Sequence, residues 1–159
     1  MSDYQLNVGD SAPNISLPIF PEGELKLSDY RGQWVIVYFY PKDSTSGCTT
    51  ESCEFRDALP DFSAANAKIV GVSRDSLKSH ANFTAKQSLN FPLISDAEEA
   101  LCKAFDVLQL KKNYGKEYMG IERSTFIINP EGNIAHEWRK VRVPEHVANV
   151  LETLKALQG

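Results

Sequence analysis

Trp34-Val35-Ile36-Val37-Tyr38-Phe39-Tyr40-Pro41-Lys42-Asp43-Ser44-Thr45-Ser46-Gly47-Cys48-Thr49-Thr50-Glu51-Ser52-Cys53 carries a strand, a turn and the opening of a helix. The apolar, β-prone run 34–40 reads as a buried strand, and Pro41 closes it because proline has no N–H to give a ladder. Residues 47–66 read as helix, with an interruption expected near Pro60. Cys48 therefore falls where a strand hands over to a helix N-terminus. Unpaired N–H groups and the positive end of the helix dipole meet there, and both favour an anion. For a thiol that anion is the thiolate, the form that reacts. An ordinary thiol with a pKa near 8.5 is only about 3% ionised at neutral pH, so the placement matters for reactivity.

Outward from this stretch the chain alternates strand and helix signals. Asn14–Leu17 and Glu24–Leu27 alternate polar and apolar residues as short half-exposed strands do, and 68–73 reads as a second buried strand. A helix is expected from Asp75 or Ser76 to about Ser88. Asp96 and Glu99 resemble a capping box opening a helix through Phe105. Residues 124–128 and 134–138, joined by Asn129-Pro130-Glu131-Gly132-Asn133, read as a β-hairpin. Val147, Val150, Leu151, Leu154 and Leu157 mark one face of a final helix. The pattern predicts an α/β fold, a mixed sheet flanked by helices.

The 159 residues fit one domain, 1–159, and no repeat or linker divides them. A net charge of −4 with scattered lysines and arginines offers no surface for nucleic acid. No apolar run approaches a membrane span, and residues 1–7 carry no signal-peptide pattern. A cytoplasmic location follows as the expectation, and three cysteines then read as thiols rather than staples.

Cys48 and Cys53 stand five residues apart. In a regular helix that spacing sets their Cα atoms roughly 8–9 Å apart and about 140° around the axis, whereas a disulfide needs under about 7 Å and convergent side chains. The pair can bond only if the first turns unwind. Two blander readings remain open at this point. Free cysteines often serve as small buried hydrophobes. A zinc site is the other, though neither a second C-x-x-C nor an H-x₃-H accompanies the pair, and His80, His136 and His146 are dispersed. His80 and His146 read as solvated helix residues, Trp34 and Trp138 as packing groups near strand ends, and Tyr40 as either pocket wall or core.

Pro41-x-x-x-Thr45-x-x-Cys48 matches the active-site signature of the peroxiredoxins. The flanks Phe39-Tyr40-Pro41-Lys42-Asp43 and Gly47-Cys48-Thr49-Thr50-Glu51 resemble the bacterioferritin comigratory protein (Q-type) subgroup. So do Gly9–Pro13, Gly120–Phe126 and Trp138–Val141, so the resemblance spans nearly the whole chain. It implies a thioredoxin-like fold and a thiol peroxidase without metal or organic cofactor. By the same resemblance Cys48 is the peroxidatic nucleophile and Cys53 the resolving cysteine, joined in an intramolecular disulfide. Thr45, Arg123 and the backbone N–H groups of Gly47 and Cys48 hold the peroxide, Pro41 shields the site, and Glu51 orients Arg123. Hydrogen peroxide and organic hydroperoxides are the implied substrates, a thioredoxin-type dithiol the implied reductant, and a monomer the expected state. A redox sensor and a binding protein with inert thiols are the rival readings.

Two departures stand out, Ser46 and Cys102. Ser46 occupies a position where many relatives have proline, and Thr84 stands where other members carry the resolving cysteine. Cys102, on an amphipathic stretch, reads as a packing residue, with resolution of Cys48 or a bond between subunits as its alternative roles.

Overall fold

Strand β3 (Trp34–Phe39) is pleated between two apolar layers. Alternate side chains leave a strand on opposite faces, so Val35, Val37 and Phe39 enter one core cluster while Ile36, Tyr38 and the following Tyr40 enter the other. The computed structural model describes residues 4–159. Beside β3 lie β4 (Ala67–Ser73) and then β5 (Leu93–Ser95), all parallel. β1 (Leu17–Phe20) runs antiparallel to β5 and carries the two-residue β2 (Glu24–Leu25) at the edge. On the other side of β3, β8 (Ser124–Ile128) and β9 (Ile134–Arg139) add antiparallel strands. The sheet order is β2-β1-β5-β4-β3-β8-β9.

Helices α1 (Ser46–Ala64) and α4 (His146–Gln158) cover one face, burying Cys48, Phe55, Phe62, Val147, Val150 and Leu154 in one cluster. α2 (Leu77–Gln87) adds Phe83 to it. The short α3 (Ala100–Ala104) lies on the opposite face with Leu101, Cys102 and Phe105. The mixed sheet, the hairpin and the last helix are as the sequence predicts, and the α2 boundaries match the expected ones, with Ser76 Oγ capping Ser79 N.

Three expectations are corrected, and one hairpin goes beyond them. α1 runs through Pro60 without a break. A proline there leaves the carbonyl four residues earlier, that of Arg56, without its helical donor, and Asn90 Nδ2 fills the gap at 3.2 Å. The helix expected from Asp96 starts at Ala100 instead, because Asp96 spends its carboxylate on Leu101 N and Cys102 N at 3.1 and 2.7 Å. His80 and His146 are buried, 0% and 4% exposed, rather than solvated. A separate hairpin, β6 (Leu108–Asn113) and β7 (Lys116–Ile121), turns at Tyr114 and Gly115, whose φ values of 53° and 78° form the left-handed pair of a two-residue turn.

Candidate active site

Cys48 sits in the first turns of α1, completely buried against Tyr38 and Tyr40 of the sheet face. The register of β8 on β3 sets Ser124 opposite Phe39, so Arg123, one residue earlier, arrives at the end of β3 where the loop to α1 begins. From there its guanidinium forks. Nη2 donates to Cys48 Sγ at 3.3 Å, and Nη1 donates to Glu51 Oε1 at 2.6 Å. Glu51 lies three residues after Cys48, on the same side of the helix. A guanidinium donating to sulfur stabilises its anion, as does the helix N-terminus around it.

Gly47 leaves room for that fork: a methyl group on its Cα would stand 3.1 Å from Arg123 Nη2. Thr45 is the residue before α1, but its hydroxyl does not cap the helix; Oγ1 donates to Lys42 O at 2.8 Å. With its only proton committed there, the oxygen presents lone pairs that accept from a bound O–H. Pro41 is half-buried in the loop. Ser46, in place of proline, is the first residue of the helix and exposed.

Behind Glu51 the site is polar and dry. Burial pushes the Glu51 carboxyl up to about 7, against the opposing pull of Arg123. Its second oxygen, Oε2, has no hydrogen-bond partner, and His146 Nε2 lies 3.9 Å away. The same His146 nitrogen is 2.8 Å from Thr125 Oγ1. Burial, and then the nearby Arg123, lower the His146 pKa to about 4. His146 is thus neutral at pH 7, and its approach to Glu51 is not an ion pair. One residue further along α1, Ser52 shares a 2.7 Å hydrogen bond with Tyr38.

The loop that presents Thr45 is fixed by a buried carboxylate. Asp43 accepts from Tyr40 Oη (2.5 Å) and Ser79 Oγ (2.8 Å), and stands 2.7 Å from His80 Nδ1. His80 Nε2 faces Ile94 O at 2.9 Å, so both ring nitrogens meet oxygen acceptors. Tyr40, of the two roles considered for it, is core with its hydroxyl turned to this loop.

Among the described residues, Cys48, Glu51 and Arg123 are brought into direct contact, with Gly47 packed against the guanidinium. Cys53 is not with them. It is half-buried and faces α2, its thiol 3.5 Å from Gln87 Oε1. All three cysteines are free and α1 is unbroken, the state in which spacing alone forbids a Cys48–Cys53 bond. Cys102 lies in the core on the other side of the sheet, where burial and the Asp96 carboxylate push its thiol well up. Among the described residues no group of side chains could hold a metal ion. Sequence reasoning missed Asp43, His80 and His146 as site supports. Asp43 lies within the motif and was open to suspicion; nothing local in the chain marks the histidines.

The fold is thioredoxin-like, and a guanidinium aimed at a buried sulfur at a helix N-terminus places the molecule among thiol-dependent oxidoreductases. The AhpC/TSA family model matches residues 8–137, and the chain belongs to that family, within its peroxiredoxins. It is 51% identical over 156 residues to peroxiredoxin Bcp of Xanthomonas campestris pv. campestris, covering 98% of each chain. To peroxiredoxin Bcp of Bacillus subtilis it is 53% identical over 150 residues, 94% of this chain and 96% of that one. A solved structure of Xylella fastidiosa PrxQ, a cysteine-to-serine variant, superposes with a TM-score of 0.94 at 48% identity, covering 98% and 99% of the two chains.

Proposed function

We propose that Cys48 is the peroxidatic cysteine of a thiol peroxidase that reduces hydrogen peroxide and organic hydroperoxides. The Arg123 fork is the observation that carries this reading, because it joins the buried sulfur to a charged donor at the place where a leaving oxygen needs one. The Cys48 thiolate attacks the nearer peroxide oxygen, the O–O bond breaks, and the departing oxygen takes a proton to leave as water or alcohol. Cys48 becomes a sulfenic acid. Thr45, Arg123 and the N–H groups of Gly47 and Cys48 orient the peroxide, and Pro41 limits water. A hollow of about 390 Å³ lined by Ser46, Gly47, Thr50, Glu54, Val143 and Pro144 opens beside this helix end and suits the organic part of a larger hydroperoxide.

Cys53 then resolves. The first turns of α1 unwind, Cys53 attacks the Cys48 sulfur, water leaves, and an intramolecular disulfide forms. A thioredoxin-type dithiol reduces it by exchange. No cofactor enters these steps. Because resolution is internal, a monomer suffices, and residues 1–159 act as one domain. Recycling by a dithiol suits the cytoplasm, and no helix among the described residues is long and apolar enough to cross a membrane.

The test is disulfide mapping after one equivalent of hydrogen peroxide, with remaining thiols alkylated. Cleavage after Glu51 separates Cys48 from Cys53 unless a disulfide joins them. The expected product is a Cys48–Cys53 link with Cys102 alkylated. Three unmodified thiols would overturn the reading, and a link to Cys102 would move the resolving step.

A further inference from the structure

Cys53 has a charged neighbour that the peroxide chemistry above does not use. Arg56, one turn further along α1, directs Nη1 to Cys53 Sγ at 3.5 Å and to Gln87 O at 2.6 Å. The Cys53 thiol in turn donates to Gln87 Oε1 at the end of α2, at 3.5 Å. The Arg56 main chain is tied to the same region: its carbonyl, orphaned by Pro60, accepts from Asn90 Nδ2 at 3.2 Å. Arg56 is therefore fastened to the α2–β5 connection at both its backbone and its guanidinium, three residues after Cys53. Among the described residues, nothing comparable fastens the helix before Cys53 to that connection. The contacts there run instead to Arg123 and Tyr38.

We propose that Arg56 is a positioning residue for the resolving step, anchoring α1 just past Cys53 so that unwinding stops there, with its guanidinium directed at the sulfur that attacks. The proposal rests on the roles given to Cys48 and Cys53 above. In this step the Cys53 thiolate attacks the Cys48 sulfenic sulfur and the S–S bond forms as the S–O bond breaks. The departing hydroxide takes up the proton that Cys53 gave off. Cys53 is oxidised and Cys48 reduced from the sulfenic level, with no further reagent. A fixed end matters because a short mobile segment brings the two sulfurs together at a smaller entropic cost than a long one. The charge matters because Cys53 gives up its proton as it attacks, and Arg56 Nη1 stands 3.5 Å from the sulfur.

The charged groups around the sulfur are few. Asp57 Oδ1 bonds Arg56 Nε at 2.9 Å and competes for the guanidinium. Gln87 and Asn90, from the α2 side, are neutral. Glu54 adjoins Cys53 in sequence but lines the hollow beside Thr50.

The experiment compares the full-length protein with Arg56→Gln, Arg56→Lys and Asn90→Ala variants. Stopped-flow measurement follows disulfide formation after a peroxide pulse, and iodoacetamide labelling in a Cys48→Ser background gives the pH at which half of Cys53 reacts. Arg56→Gln is expected to slow disulfide formation about tenfold and to raise the labelling midpoint. Arg56→Lys, keeping the charge, restores the midpoint. Asn90→Ala slows disulfide formation and leaves the midpoint in place. An Arg56→Gln protein with wild-type disulfide kinetics, or with an unmoved midpoint, overturns the proposal, since a merely structural arginine would leave the midpoint alone. The underlying reading fails separately: it falls if oxidised wild-type protein carries no Cys48–Cys53 bond.

Discussion

Replacing Arg123 by lysine keeps a positive charge but removes the fork. The guanidinium serves Glu51 and Cys48 from two nitrogens, at 2.6 and 3.3 Å. A lysine offers one compact ammonium on a flexible stem. Glu51 is completely buried with Oε2 already unpaired, so the ammonium is expected to settle on the carboxylate and to give up the sulfur. A hydrogen bond to a charged group contributes about 1.5–3 kcal/mol. Lost from the attacking sulfur and from the leaving oxygen, that is roughly a 10- to 150-fold fall in the second-order rate of Cys48 oxidation. The measurement is stopped-flow fluorescence in a Cys53→Ser background, which isolates the first step. Trp138, 5.6 Å ring to ring from His146, is the natural reporter. An Arg123→Lys protein reacting within threefold of its parent would refute the argument that two separate nitrogens are required. The paired variant Glu51→Gln with Arg123→Lys then shows whether the two losses share one cause, because coupled sites depart from additivity.

Glu51→Gln also carries a pH signature. With its carboxyl raised to about 7, the folded protein holds a proton through pH 4.5–7 that the unfolded chain releases, so Glu51 lowers stability as pH rises through that window. His146, lowered to about 4, does the reverse between pH 4 and 6.5. Denaturant melts of wild type minus Glu51→Gln should therefore fall by ~3 kcal/mol from pH 4.5 to 7, and a flat difference would show that Glu51 titrates normally. Asp43→Ala strips the loop of its buried carboxylate and leaves Tyr40 Oη, Ser79 Oγ and His80 Nδ1 without their shared acceptor, a loss of about 1–3 kcal/mol for each buried donor left unpaired; a total change under about 1 kcal/mol by chemical denaturation would mean the loop is held elsewhere. Gly47→Ala pushes a methyl against Arg123 and should slow Cys48 oxidation several-fold with little change in melting temperature. An unaltered rate would show the guanidinium shifts at no cost.

The strand-turn-helix around Cys48 was legible because each step has a local cause: β-prone residues, a proline without an N–H, then a helix-forming run. Arg123 was legible only through resemblance, since no local rule links it to a cysteine 75 positions earlier; the β3–β8 register makes the link. The Pro60 expectation failed because the rule counts the lost donor but not a replacement, and Asn90 supplies one from another element. The histidines failed for the same reason. His80 reads as polar on an amphipathic helix, and only the folded chain brings Asp43 and Ile94 O to its two nitrogens. The β6–β7 hairpin was missed because Lys111-Lys112-Asn113 and Lys116-Glu117, flanking the turn, break the alternation that marks a half-buried strand and leave Tyr114-Gly115 as a lone turn signal.

The opening turns of α1 are held by the same side chains that serve Cys48 in the proposed mechanism, and on that reading chemistry is tied to unwinding. The helix start lacks the usual local supports: Thr45 spends its hydroxyl on Lys42 O, and the first turn has no acidic residue to meet the dipole. What holds residues 46–53 is tertiary. Arg123 grips Glu51 and Cys48, and Tyr38 grips Ser52. In the proposed cycle, oxidation converts the sulfur that Arg123 Nη2 contacts at 3.3 Å into a neutral sulfenic acid, and so acts on one of those anchors. Beyond Cys53 the anchors at Arg56 involve neither the sulfur that is oxidised nor Arg123, and they persist. On the proposed reading, the segment freed thus begins at Cys48 and ends at Cys53, the thiol that must reach it.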